Sequence, residues 1–423
     1  MGKDKDTFLS EVLNQIRSKE AKKFVSSELE YHLKRSKNRW MEKGFNEFDA
    51  EEKAVKQLGN PIQIGHELNK LHRTRIDWFM VILLGVTLAL SFLPIFALGY
   101  ANDGPFLMNK IVFVILGAAT VMGMMLIDYR KLEKLGWLFY TIGVMILFML
   151  IFIPNIFING QPFIQIGPLM IDSFMAVPFF FIAWTSFFNK AALKIWHFGL
   201  LFIFSLYLFL WIPSLSTTFI YMIMVFIMLW WSKIGRKKAL MMTVVTICMA
   251  VIVGLLFRTS IKEYQLARIL GFLNPENDEN GAGYIYLRLK EIISEAGWFG
   301  ISGNKEFIPS AHTDLVFASL IHSYGYGFAI LLFLILSFIV IRMVVISYKV
   351  NDHYGKLLLV GGITLFGVQF IYNIGMVLGL LPITSISLPF ISYGLMPTLF
   401  NAFIIGSVLS VYRRKDLISS RFS

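Results

Sequence analysis

The sequence predicts an all-α polytopic membrane protein of about ten transmembrane helices, with both termini cytoplasmic, a large external loop between helices 7 and 8, and a small soluble helical domain at the N-terminus. Three observations carry this. Of 423 residues 56% are apolar and only 16% charged, with 40 Phe and 9 Trp, which is too apolar for a water-soluble chain of this length. Ten apolar runs follow Trp78, several of them near the roughly 20 residues that cross a bilayer. Lys and Arg gather in alternate connections between those runs.

The same figures exclude other classes. The one cysteine, Cys248, forms no intrachain disulfide and leaves no Cys-based zinc site. A formal charge of +12 would suit nucleic acid, but the basic residues fall mostly in short loops between apolar runs, where the positive-inside rule accounts for them, so no nucleic acid is expected as a partner. Neither a Walker A nor a GxGxxG element occurs, which argues against an ATP-driven pump.

Residues 1–75 form a cytoplasmic helical prefix domain, with 16 Lys+Arg, 12 Asp+Glu and no spanning run or signal-peptide core. Phe8, Leu9, Val12, Leu13 and Ile16 recur at helical spacing, as do Phe24, Val25, Leu29 and Leu33. A third helix is expected to open at Asp49, capped with the help of Glu52, to carry Ala54, Val55 and Leu58 inward, and to stop at Gly59-Asn60-Pro61.

Residues 76–423 form the membrane domain, with spans at 78–97, 111–127, 137–155, 171–188, 198–212, 217–232, 240–257, 315–341, 357–380 and 394–412. One set of connections holds Arg130, Lys131 and Lys134, then Lys190 and Lys194, then Lys233, Arg236, Lys237 and Lys238, then Arg342, Lys349 and Lys356, and finally Arg413, Arg414, Lys415 and Arg421. The opposite short connections hold almost none, Lys110 being the exception, so the first set is cytoplasmic and the number of spans even. Residues 258–314 make the large external loop, whose Tyr264, Trp298 and mixed charges predict a structured cap, and chemistry belongs on that outer face.

Asp314 stands where this loop meets span eight, in Pro309-Ser310-Ala311-His312-Thr313-Asp314-Leu315. A carboxylate at the mouth of an apolar helix is costly to desolvate, which raises its pKa and suits a general base or acid. Capping of the helix by Thr313 or Asp314 is the plainer reading, and on spacing alone the commoner one. The loop cations Arg268, Arg288, Lys290 and Lys305 could together neutralise a pyrophosphate, although each singly reads as a solvated or headgroup-facing charge. From Gln369 to Asn401, Asn373, Gly375, Gly379, Pro382, Pro389, Ser392, Tyr393 and Gly394 interrupt the apolar residues. Gly and Pro at that density imply broken helices lining a cavity, or close packing through small residues. His312, His322 and His353 lack metal-ligand spacing.

Together these stretches look familiar. Tyr264-Gln265-Leu-Ala-Arg268 through Phe272-Leu273-Asn274-Pro275-Glu276-Asn-Asp278 and Gly281-Ala-Gly283-Tyr284, then PSAHTDLVFA, then NIGMVLGLLPITSISLPFISYG at 373–394, resemble the SEDS family, the FtsW/RodA/SpoVE-type proteins of bacterial division, elongation and sporulation. The resemblance runs from about Trp78 to Arg414, and residues 1–75 are similar to the helical prefix found before some Firmicute membrane proteins. It implies a peptidoglycan glycosyltransferase that polymerises lipid II at the outer face of the cytoplasmic membrane beside a class B penicillin-binding transpeptidase. It also carries the family's catalytic aspartate onto Asp314. Candidate substrate-binding residues are Gln265, Arg268, Arg288, Lys290, Lys305, His312, Thr313, Asn373, Pro389, Ser392 and Tyr393. No cofactor is identified; a divalent cation is compatible with the chemistry but nothing in the sequence specifies one.

The chain also departs from the family. The Trp of the first outer loop is Phe163, the Pro-Ser-Glu that follows is absent, the usual Pro-Asp-x-Gly/Ser-Thr reads Pro213-Ser214-Leu-Ser216-Thr217, and the Glu-Glu-Leu-Gly after the catalytic motif reads His322-Ser323-Tyr-Gly325. These losses favour one alternative, a catalytically weak scaffold for a transpeptidase; a second is a transporter of lipid-linked precursor, for which the cavity implied by the broken tail helices would suffice.

Overall fold

The computed structural model describes residues 5–71, 75–100, 103–158, 160–167, 169–190, 195–256, 270–281, 283–301 and 308–417. The chain forms two compact units, Met1–Asp77 with Val411–Ser423, and Trp78–Ser410.

The first unit contains α1 (Lys5–Asn14), α2 (Lys19–Glu42), α3 (Glu47–Leu58) and α4 (Pro61–Leu71). Its core is the predicted stripe, with Phe8, Leu9, Val12, Ile16, Val25, Leu29, Leu33, Ala54 and Val55 buried together. Two local expectations are corrected. Helix α3 opens two residues early, because Asn46, in extended backbone, accepts from the Asp49 amide at 2.7 Å, while Glu52 turns to Lys56 at 2.7 Å. Pro61 does not end the helical region but opens α4, since proline at a first turn forfeits only an amide that has no partner anyway.

The segment after residue 410 also belongs to this unit rather than to the membrane domain. Leu417 lies in the prefix core, and the Arg414 guanidinium, 1% exposed, donates to Glu20 Oε1 at 2.9 Å. Arg75 pairs with Asp416 at 3.3 Å. A Leu and an Arg just beyond an apolar run read as a cytoplasmic tail; only the fold reveals a core and a carboxylate waiting for them.

In the second unit, helices occupy all ten apolar runs among the described residues: α5 (Trp78–Leu90) with α6 (Leu93–Ala97), α7 (Gly104–Leu126), the short α8 (Tyr129–Leu132) leading to α9 (Gly136–Phe152), α10 (Val177–Asn189), α11 (Ile195–Trp211), α12 (Leu215–Trp230), α13 (Arg236–Leu256), α15 (Val316–Tyr348), α16 (His353–Val377) and α17 (Leu395–Arg413). The loop helix α14 (Tyr284–Glu295) precedes α15. Six of the described spans are long and apolar enough to cross a membrane. Helix α16 is the most enclosed, 78% of its span buried, and packs on α10, α12 and α15; α7 is 17% buried and turns Met108 and Ile115 outward. An apolar exterior of that extent is what lipid contact requires.

The all-α expectation fails at one place. After α9 the chain forms a small antiparallel sheet, β1 (Ile156–Ile158), β2 (Gln161–Ile166) and β3 (Leu169–Ile171), in the order β1-β2-β3, with Ile156 opposite Phe163 and Ile164 opposite Ile171. Between the strands, Gly160 stands at φ 77° and Gly167 at φ 60°, a conformation that favours glycine. Apart from Ile171, the strands lie in the outer connection between the third and fourth expected spans.

Helix α15 is interrupted at Gly325, at φ 79° and ψ 179°. The loop at 297–301 docks into the break: Tyr326 N donates to Gly297 O at 3.0 Å, Gly327 N to Trp298 O at 3.2 Å, and Ile301 N to His322 O at 2.8 Å. A Cβ on Gly325 would run into the Trp298 backbone, so this glycine carries both the turn and the close approach.

Candidate functional site

Residues 309–315 approach α15 as successive turns, opened by Ser310 in the left-handed region at φ 52°. The Ser310 carbonyl accepts from Thr313 N at 3.0 Å and Leu315 N at 3.2 Å. Leu315 takes the cap position of α15, with no side-chain capping bond, and the Thr313 hydroxyl turns back to Ser310 O at 3.3 Å. Neither Thr313 nor Asp314 therefore caps the helix, and the plainer reading of this motif falls.

What holds the motif instead is the tail. Three successive carbonyls are each taken by a tail residue: His312 O by Tyr393 N at 2.7 Å, Thr313 O by Ser392 Oγ at 2.6 Å, and Asp314 O by Asn373 Nδ2 at 2.8 Å. Asn373, at 0% exposure on α16, also donates to Ile386 O at 2.6 Å, and Leu388 N donates to Ser392 Oγ at 2.8 Å. A buried carbonyl left unmet costs roughly 1 to 3 kcal/mol, so these contacts fix the backbone path. Pro389 enters the same turn, its carbonyl accepting from Ile391 N at 2.8 Å. Phe390 sits at φ 63°, a conformation that costs a bulky residue about 1 to 3 kcal/mol and persists only where surroundings enforce it.

With its backbone committed to the tail, Asp314 has a carboxylate to which no described residue donates. Burial pushes its pKa up to about 6. The His312 ring lies edge-on to Phe106 at 5.5 Å and to Tyr393 at 5.8 Å, and partial burial lowers its pKa. Phe106 and Tyr393 stack at 3.9 Å.

Other expected residues fall elsewhere. Arg288 is spent on Glu291 at 2.6 Å. Lys290 lines a separate cavity of about 470 Å³ with Phe272, Tyr286, Tyr326 and the end of α16, so among the described residues the loop cations do not cluster beside Asp314. Gln265, Arg268 and Lys305 lie outside the described residues. His353 bonds Asn189 at 3.0 Å, and no group of three His, Cys, Asp or Glu able to hold a metal occurs among the described residues.

Two groups escaped the sequence reading. Lys110, 1% exposed on α7, donates to the carbonyls of Phe390 and Ser392, each at 3.3 Å. Its signal was present in the sequence, as the one Lys or Arg in the short outer connections. Asp172, ahead of α10, is half-buried, with its Oδ1 buried and without a partner among the described residues. The next residue, Ser173, joins a polar cluster with Ser214 and Thr217, where Ser173 Oγ meets Thr217 Oγ1 at 3.3 Å and Thr217 meets Ser214 Oγ at 2.8 Å.

A bundle of apolar helices with an acid that no described residue pairs, on a braced turn at a helix mouth, defines a multi-pass membrane protein with a polar site at that mouth. The chain belongs to the FtsW/RodA/SpoVE family of cell cycle proteins, whose sequence profile matches residues 72–417. It is 32% identical to stage V sporulation protein E of Bacillus subtilis over 155 residues, 36% of this chain and 42% of that protein. To the peptidoglycan glycosyltransferase MrdB of Escherichia coli K12 it is 29% identical over 182 residues, 42% of this chain and 49% of that protein. The chain thus matches less than half the length of these relatives. Among solved structures, one chain from a peptidoglycan synthase complex that coordinates polymerization and crosslinking superposes with a TM-score of 0.68 at 24% identity, over 80% of this chain and 98% of its own. The rod shape determining protein RodA of Thermus thermophilus superposes at 0.59 and 20% identity, over 80% of this chain and 97% of its own. These likenesses establish the fold.

Proposed function

We propose that the protein is a peptidoglycan glycosyltransferase that polymerises lipid II at the outer face of the bacterial cytoplasmic membrane, with ten spans and both termini inside. The observation that carries this reading is Asp314, desolvated, without a side-chain partner among the described residues and held by three tail contacts to its own motif. In the reaction, the 4-hydroxyl of an acceptor GlcNAc attacks the anomeric carbon of the lipid-linked donor. The glycosidic bond forms as the bond to undecaprenyl pyrophosphate breaks, with inversion at that carbon. Asp314 takes the hydroxyl proton, for which a carboxylate of raised pKa is better matched than an ordinary one. The pyrophosphate leaves with its negative charge, which Arg268 is assigned to counter. A class B penicillin-binding transpeptidase is the proposed partner, by analogy with the synthase-complex chain it superposes on.

The scaffold alternative draws on the neutral residues at Phe163 and Ser214. A scaffold has no need for a carboxylate kept desolvated at a cost, and this favours the enzyme. Purified protein supplied with labelled lipid II decides the matter. Asp314→Asn should reduce glycan chain formation by about 10²- to 10⁴-fold, the usual contribution of general-base catalysis. Since Asp314 caps nothing, the Asn variant should express and fold like the parent; polymerisation at the parental rate would overturn the assignment.

A further inference from the structure

Helix α7 presents one face to the tail segment at 390–393, at positions one turn apart. Phe106 stacks on Tyr393 and its carbonyl accepts from Tyr393 Oη at 3.3 Å; Asn109 bonds the Tyr393 hydroxyl; Phe113 meets the Tyr393 ring at 5.4 Å. Lys110 stands within this face, its ammonium between Phe390 O and Ser392 O at 3.3 Å each, with no carboxylate partner among the described residues. An ammonium withdrawn from water and given only two carbonyls is a poor contributor to stability, and an apolar side chain of similar size would pack there at less cost. Its two contacts bracket Ile391 and follow directly on the left-handed Phe390.

We propose that Lys110 is a positioning residue for Asp314: it pins the 390–392 turn, from which Ser392 and Tyr393 reach across to hold the carbonyls of Thr313 and His312. The chain of contacts is short and each link is a hydrogen bond, from Lys110 Nζ to Ser392 O, from Ser392 Oγ to Thr313 O, and from there one peptide to Asp314. Loss of the ammonium frees the strained turn to relax, and the carboxylate shifts relative to bound sugar. The inference rests on Asp314 being the base.

Lys110→Met and Lys110→Arg in the full-length protein test it, each assayed for polymerisation of labelled lipid II and for amide hydrogen exchange. The Met variant should lose on the order of 10- to 100-fold in kcat, the penalty of a small misplacement of a reacting group, with KM within about two-fold of the parent. The Arg variant, able to donate to both carbonyls, should recover most of that loss. Exchange should quicken at 388–394 and 310–315 in the Met variant and stay parental in α16. Parental kcat in the Met variant, a loss confined to KM, or Arg as impaired as Met overturns the proposal. Should Lys110→Met fail to fold, Lys110→Gln is read by the same criteria. Asp314→Asn run alongside separates the two claims, since an active Asn variant removes the base assignment while the exchange data still judge whether Lys110 orders the turn.

Discussion

Asp314 stands in a condition that ordinary carboxyls lack, desolvation without a charged partner among the described residues, and this raises it to about 6. For Asp314 the catalytic consequence has a definite sign. The base form exists above the folded pKa, so polymerisation should fall as pH drops through about 6, read as kcat against pH. The stability consequence has the opposite sign. A raised carboxyl pKa means the native state binds its proton more tightly than the unfolded chain, so ionisation penalises the fold above pH 6 and the penalty lifts as pH falls from about 6 towards 4. Asp314→Asn should therefore melt higher than the parent at pH 8, by up to about 2 to 3 kcal/mol, and no higher at pH 4, checked by thermal unfolding in detergent. A parent that is equally stable relative to the Asn variant at both values would mean the acid is not desolvated.

At the level of elements, the site is one turn held by another. Asn373 gives its amide to Asp314 O and Ile386 O at once, tying α16 to both segments. Asn373→Ala leaves two buried carbonyls unmet, so a loss of roughly 2 to 5 kcal/mol is expected in chemical denaturation, together with a drop in polymerisation. A variant of parental stability would show that water replaces the amide and that the brace is weaker than its distances suggest. The motif PSAHTDLVFA and the tail were both conspicuous in the sequence, but their joint geometry was not. Capping was the economical reading of Thr313-Asp314 because local sequence contains only local hydrogen-bond partners, whereas the partners actually used lie about 60 to 80 residues away, at 373, 392 and 393. Lys110 is further still, some 280 residues from the carbonyls it meets.

Across the molecule, the charge asymmetry makes the strongest statement. A reporter fused after Arg414 should be cytoplasmic and one inserted near Asn280 external, and finding both on one side would overturn the ten-span topology. The first unit is not a free N-terminal appendage, because Leu417 joins its core and Arg414 pairs with Glu20. Removing residues 1–70 would strip Arg414 of Glu20, so a C-terminus prone to proteolysis is expected in such a variant, detectable by limited digestion and mass spectrometry.

Composition and periodicity by themselves determined the membrane class, the ten apolar runs and the polar prefix with its inward stripe, because burial in lipid and helical spacing are imprinted residue by residue, whereas the family motif pointed to Asp314. Tertiary structure alone decided that Asp314 takes no donor among the described residues rather than capping α15, that Lys290 lines another cavity and Arg288 pairs with Glu291, that Lys110 lies under the tail, and that the chain's end returns to the prefix. Those outcomes depend on which carbonyls and charges meet across long separations. A hydrogen bond acts over about 3 Å in space and carries no trace of that distance along the chain.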